Sequence, residues 1–130
     1  MLLPYEMIHR SVIPAMRYMI ATRLVEECNM NQQQAAQILG ITQPAISNYL
    51  RRTRAIAINL NDCEEICKSV EEVMELLLEG GPNQPKVTEK IVYMCDYLRK
   101  ERMLCDFHKR LEPFFEVNNC HACDEPFIQK

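Results

Sequence analysis

The sequence has no tryptophan and only three glycines, two of them adjacent at Gly80 and Gly81. Glycine this scarce excludes a phosphate-cradling nucleotide loop, which needs several glycines at fixed spacing so that the backbone can approach the ligand. No apolar run reaches the ~18 residues that a membrane-spanning helix requires. A secretory leader is not expected, because Pro4, Glu6 and Arg10 stand where its apolar centre would sit. There is no internal repeat and no low-complexity stretch. No serine–histidine–aspartate set and no paired carboxylates stand out, so a Cys-x-x-Cys thiol oxidoreductase is the one enzyme class left to weigh.

What is present suits a packed domain: 48% hydrophobic and 25% charged residues over 130 positions. The outlier is cysteine, with seven. An odd number cannot all pair within one chain, and seven in this length is sparser than in a small disulfide scaffold. The expectation is a cytoplasmic protein whose thiols are reduced unless a metal holds them. The net charge of −3 conceals a split. Residues 1–60 carry six arginines against three glutamates, whereas residues 61–130 carry nine basic against fifteen acidic residues. Arg51, Arg52 and Arg54 cluster within the basic half. Such a run either binds phosphate or merely faces water, and its neighbours decide which.

The hydropathy pattern is helical almost throughout. Pro4 can open a short helix, and Pro14 is expected to kink or restart it. Met16, Ile20 and Leu24 then recur every fourth position, with Met19 and Val25 widening the stripe. A short helix fits Gln32–Leu39, with Asn31 as N-cap and Gly40 supplying the left-handed turn that ends it. Thr42 caps the next helix, which runs to about Arg52, with Pro44 in its first turn. Ala55–Leu60 reads as a short strand or an extended connector. Asn61 and Glu64 have capping-box spacing for a helix over Asp62–Glu79. Gly80–Pro85 is a loop, and Thr88 caps a last long helix that continues through about Leu98 to Leu104.

The stretch Gln32–Leu50 meets the demands of a helix-turn-helix. Ala36 is small where the second helix crosses, Gly40 can take positive φ, Ile41 tucks inward, and Ile46 and Leu50 give the second helix a buried face one turn apart. Its outer face then carries Thr42, Gln43, Pro44, Ser47, Asn48 and Arg51. Gln43, Ser47 and Asn48 can hydrogen-bond base edges, while Thr42, Arg51, Arg52 and Arg54 are better suited to phosphates. The plainer alternative is an ordinary helical hairpin with a polar outer face. These residues resemble the Cro/repressor-like family of bacterial, archaeal and phage transcription regulators. That resemblance implies double-stranded DNA as partner.

Cys120-His-Ala-Cys123 is a turn that can offer two thiolates to one metal. Its redox alternative requires a strand before and a helix after it, and Asn118-Asn119 and Asp124-Glu125-Pro126 flank it instead. Further ligands must come from upstream. Cys105 and His108 lie three apart on one helix face and would complete a Cys3His set typical of structural zinc. Cys95 lies ten positions before Cys105, about 15 Å along an unbroken helix. A four-cysteine site therefore needs a break around Arg99–Leu104, and neither glycine nor proline marks one. The plainer readings are a core position for Cys95, an exposed helix position for His108 and a loop position for His121. Cys63, Cys67 and Cys28 read as packing.

Together the Leu2-Leu-Pro opening, Ile13-Pro14-Ala15, the Gln32–Leu50 motif, Leu104-Cys105-Asp-Phe-His108 and the terminal Cys120-x-x-Cys123 resemble small archaeal transcriptional regulators with a cysteine-rich C-terminal region. The resemblance implies a dimeric regulator with a cysteine-ligated centre, an iron–sulfur cluster first and zinc as the alternative. It is also what brings Cys95 among the ligands, beside Cys105, His108, Cys120 and Cys123. The expected architecture is all-α. An N-terminal helix-turn-helix domain (1–60) precedes a dimerising helical region with a short metal-binding tail (61–130). The run Val73–Leu78 is wider than one core face needs, which points to a homodimer on a pseudo-palindromic operator. A zinc-stabilised interaction module that binds no DNA is the competing reading.

Overall fold

Pro14 has no N–H to offer the carbonyl four residues back, and in a regular α-turn its ring would collide with that carbonyl. The chain nonetheless stays helical through it rather than restarting. In the computed structural model, which describes residues 1–51 and 58–124, α1 (Pro4–Met7) passes through one wide π segment (Ile8–Val12) directly into α2 (Ile13–Glu26). The Ile13 N–H reaches the Ile8 carbonyl, and this wider turn gives the ring the room that an α-turn lacks. The expected stripe is buried: Met16, Ile20 and Leu24, together with Ala15, Met19 and Ala21, face the core from α2.

The next two helices form as their local signals specify. α3 (Gln32–Leu39) opens with a complete capping box, in which the Gln34 N–H donates to Asn31 Oδ1 at 2.8 Å and the Asn31 N–H to Gln34 Oε1 at 3.0 Å. Gly40 ends it with φ 69°. The Thr42 hydroxyl accepts the Ala45 N–H at 3.2 Å at the start of α4 (Gln43–Arg51). Ala35 and Ala36 are buried where α4 crosses, against a fully buried Ile46.

The C-terminal half departs further from expectation. α5 (Glu64–Gly80) starts at Glu64 with Cys63 at its cap position and no side-chain cap bond. Asn61 instead turns back, its N–H donating to Asn59 Oδ1, so the expected capping box is not made. α6 (Pro85–Lys100) begins three residues before Thr88, with Pro85 in the first turn, where its missing N–H costs nothing. The side chain of Gln84 closes the loop between them, its Nε2 donating to the Leu76 and Gly81 carbonyls at 2.6 and 2.8 Å. α6 and α7 (Met103–Leu111) are separate helices, parted at Glu101–Arg102 by a left-handed Arg102 with φ 60°. The break that a site using Cys95 would need is therefore present. A 3-10 turn (Val117–Asn119) leads into the cysteine loop. Of Ala55–Leu60, only 58–60 are described; they are irregular, with Ile58 and Leu60 buried.

Among the described residues all regular structure is helical. One cluster of buried side chains runs from Met7 through Leu24, Ala36 and Ile46 to Val70, Leu77, Leu98 and Phe107, joining the helix-turn-helix to the body. Val73, Met74 and Leu77 are absorbed into this core, which leaves Leu78, 47% exposed, as the part of its run facing outward. The helix-turn-helix turn rests on the α5–α6 loop: a Cβ on Gly40 would lie 3.0 Å from Pro82 Cβ and Cγ. Gly81 has a similar φ of 78° but faces open space.

That difference is measurable. Gly40 is left-handed helical, where alanine costs about 1–2 kcal/mol, whereas Gly81, with ψ −172°, sits in a region essentially reserved for glycine. The two substitutions therefore carry different backbone strain, but only Gly40→Ala must also displace Pro82. In urea unfolding, Pro82→Ala should relieve part of the stability loss of Gly40→Ala and none of that of Gly81→Ala. No relief at Gly40 would mean that the turn does not lean on this loop.

Candidate nucleic-acid interface and cysteine cavity

On α4, Ile46 anchors the inner side while Gln43, Pro44 and Arg51 are exposed and Ser47 and Asn48 are half-buried. Gln43, Ser47 and Arg51 recur every four residues, so they share a strip along the helix, flanked by Pro44 and Asn48. Thr42 lies at its leading edge, with its hydroxyl engaged in the cap. Arg51 Nε folds back toward the Ser47 carbonyl at 3.4 Å. The expected outer face is thus presented. Arg52 and Arg54 lie outside the described residues.

Two residues that were not candidates support this face. Gln43 Nε2 donates to Gln32 Oε1 at 2.8 Å, which ties the N-terminal ends of α3 and α4 together. One donor of the Gln43 amide is thereby fixed, and its carbonyl and second N–H are left in a set orientation. The signal was available as a glutamine opening each helix. At the exposed edge of the α2–α4 contact, Arg17 Nη1 donates to Tyr49 Oη at 3.1 Å.

The cysteine tail folds back over the chain's N-terminal end. A cavity of about 450 Å³ is walled by Leu2, Leu3, Pro4 and Met7 on one side, and by Cys105, His108, Cys120 and Cys123 with Leu104, Phe115 and Val117 on the other. Three of the expected thiols are therefore together. Burial pushes the Cys105 thiol up; the Arg102 guanidinium opposes this, while Cys123 and Cys120 add to it.

Cys95 does not join them. It is half-buried on α6, packed against the hydrophobic core, and its thiol is pushed up by burial first and by Asp96 next. The helix break swings α7 and its Cys105 toward the tail and leaves Cys95 behind.

His108 is buried, not exposed. Its Nε2 lies 2.8 Å from Glu112 Oε1 and its ring stacks on Phe115 with centroids 4.1 Å apart. His121 is exposed beside Asp124, at 3.1 Å. Cys63 and Cys67 are half-buried along the core, as read from the sequence, and so is Cys28.

The donor set is chemically that of a thiolate-held centre. Yet among the described residues no three His, Cys, Asp or Glu side chains converge closely enough to hold a single metal ion.

Two further groups organise the cavity without any sequence signal. Arg102, in the α6–α7 break, donates to the Val117 and Cys120 carbonyls and to Asp124 Oδ2, each at 2.7 Å. Glu112 accepts the Leu2 N–H at 2.9 Å and so fastens the opposite wall.

Residues 22–60 match the Helix-turn-helix family, a stretch that starts within α2 and takes in α3 and α4. No curated protein and no solved structure matches the chain.

Glu112 makes the cavity wall sensitive to acid. Its hydrogen bond with His108, then that with the Leu2 N–H, hold its carboxyl below the ordinary value of 4.5. A depressed carboxyl contributes stability above its unfolded pKa and loses it as pH falls through the folded one. The thermal midpoint should therefore fall more steeply below pH 4.5 in the wild-type protein than in Glu112→Gln. Parallel curves would remove Glu112 from that role.

Proposed function

We propose that this chain is a sequence-specific DNA-binding transcriptional regulator of the XRE-like helix-turn-helix kind. In this reading its cysteine tail holds a centre responsive to redox state, oxygen or iron. The helix-turn-helix match supports the DNA-binding part, as a family of regulators rather than enzymes. The observation that carries the reading is the strip Gln43–Ser47–Arg51, flanked by Pro44 and Asn48, on a helix whose other side is locked into the core by Ile46. Gln43, Ser47 and Asn48 read base edges; Thr42, Arg51, Arg52 and Arg54 take phosphates. The acidic body stays off the DNA, since like charge repels it.

The finer part concerns the tail. Cys105, Cys120 and Cys123 are its thiolates, with an iron–sulfur cluster as the centre and zinc as the second candidate. Support comes from the three thiols bordering one cavity. A cluster would supply redox sensitivity; zinc would supply only folding energy. Cys95 is left out of the ligand set, and His108 stays a candidate fourth ligand. A homodimer on a pseudo-palindrome with half-sites ~34 Å apart completes the reading. No described helix is long and apolar enough to cross a membrane, and a cytoplasmic location belongs to the same proposal.

Two experiments test the two parts separately. Binding to the protein's own promoter should weaken with added salt, because phosphate contacts release counterions. It should fall further, by about 1–3 kcal/mol for a lost base contact, in Asn48→Ala, and become less salt-dependent in Arg51→Ala. Shifts unchanged by both substitutions would end the DNA-binding assignment in favour of an interaction module.

For the tail, protein purified without oxygen should carry iron, sulfide and a visible absorption band. Cys105→Ser, Cys120→Ser and Cys123→Ser should each lose the band while Cys95→Ser keeps it. Stoichiometric zinc with no iron would overturn the sensing role, and loss of the band in Cys95→Ser would overturn this ligand set.

A further inference from the structure

The geometry points to Arg102 as the positioning residue of the cysteine site: its guanidinium folds residues 117–124 into the loop that sets Cys120 and Cys123 on the cavity. This rests on the reading of the tail as a thiolate-held centre, and it adds a residue that neither motif nor spacing marks. Arg102 occupies the two-residue break between α6 and α7 in a left-handed conformation, φ 60°. Apart from Asn29, it is the one described non-glycine residue with positive φ. Bulky L-residues avoid this region unless surrounding contacts hold them there.

The holding contacts are visible. Nη2 donates to the Val117 carbonyl, and Nη1 to the Cys120 carbonyl and to Asp124 Oδ2, all at 2.7 Å. The three acceptors bracket the Cys-x-x-Cys: one precedes it, one is on its first cysteine, and one comes directly after its second. A planar fork that donates in fixed directions can bind three such points at once, which an ammonium cannot do with the same rigidity.

The same break turns α7 so that Cys105 faces this loop across the cavity. One residue thus places all three thiols, Cys105 through its backbone and the other two through its side chain. A permanently charged guanidinium beside the loop also offsets the negative charge that thiolates bring into a largely apolar cavity.

The test uses the full chain with Arg102→Gly, Arg102→Lys and Asp124→Asn. Glycine takes the left-handed backbone without strain, so Arg102→Gly removes the fork and leaves the break. Lysine keeps the charge and loses the fork. Asp124→Asn removes the ionic anchor alone and serves if Arg102→Gly does not fold.

In metal-free protein, amide exchange over residues 117–124 should accelerate at least tenfold in Arg102→Gly and less in Asp124→Asn, with the far-ultraviolet helix signal unchanged. After anaerobic reconstitution with iron and sulfide, or titration with zinc, affinity for the centre should drop by ~10–100-fold in Arg102→Gly. Arg102→Lys should recover part of that affinity but give a shifted absorption band.

Unchanged exchange in both Arg102→Gly and Asp124→Asn overturns the clamp. Accelerated exchange with unaltered affinity and spectrum overturns the positioning role. If the wild-type protein takes up neither cluster nor zinc, the reading of the tail as a centre fails, and the exchange result alone decides whether Arg102 folds the loop.

Discussion

The unbroken passage of the helix from Pro4 to Glu26 is the constraint on which both ends of the molecule depend. Its C-terminal part carries Met16, Ile20 and Leu24 into the core beneath α3 and α4, each contributing about 1.5–3 kcal/mol of apolar burial. Arg17 on the same helix reaches Tyr49 of α4. Its N-terminal turn, with Leu3, Pro4 and Met7, walls the cysteine cavity, and the Leu2 N–H just before it is held by Glu112. A break at Pro14 would uncouple these two ends. The π segment prevents it by widening one turn at the proline instead of giving up the helix. The cysteine cavity and the helix-turn-helix are thereby attached to one continuous helical stretch.

The helix-turn-helix was legible in the sequence because its determinants are local. Asn31 and Gln34 find each other across three residues, Gly40 takes the one conformation its neighbours cannot, and Thr42 caps α4. The cysteine site was legible only in its donor types. Which thiols meet depends on the direction change at Arg102, and an arginine carries no propensity for a left-handed turn. Tertiary bonds from the tail impose that conformation, so no local pattern could announce it. The same limit explains His108, buried by a ring stack with Phe115 that forms only once the chain has turned past Pro113. Asn61 fails as a cap for a related reason: the chain approaches α5 through a tight turn in which Asn59 takes its N–H.

The charge split acquires a spatial meaning. The groove between α5 and α6 is lined by Glu65, Glu72, Glu75, Glu79 and Glu89 against Lys68, Lys86 and Lys90. Pairs such as Glu72 with Lys90 sit at the surface, where a salt bridge contributes little to folding. Their net negative charge acts over distance instead. It disfavours approach of this groove to a phosphate backbone.

The two candidate centres differ in what they would ask of the thiols. A single zinc ion binds sulfur at ~2.3 Å and so requires its ligands to converge on one point. A cluster distributes its thiolates over several irons and tolerates a wider ring of donors. Cys105, Cys120 and Cys123 border one space of about 450 Å³. Cys95, the cysteine that would have completed four, is committed to the core of α6. His108 lines the same space, but its Nε2 is engaged by Glu112, the carboxylate that also holds Leu2. Recruiting that nitrogen as a fourth ligand would require it to leave Glu112.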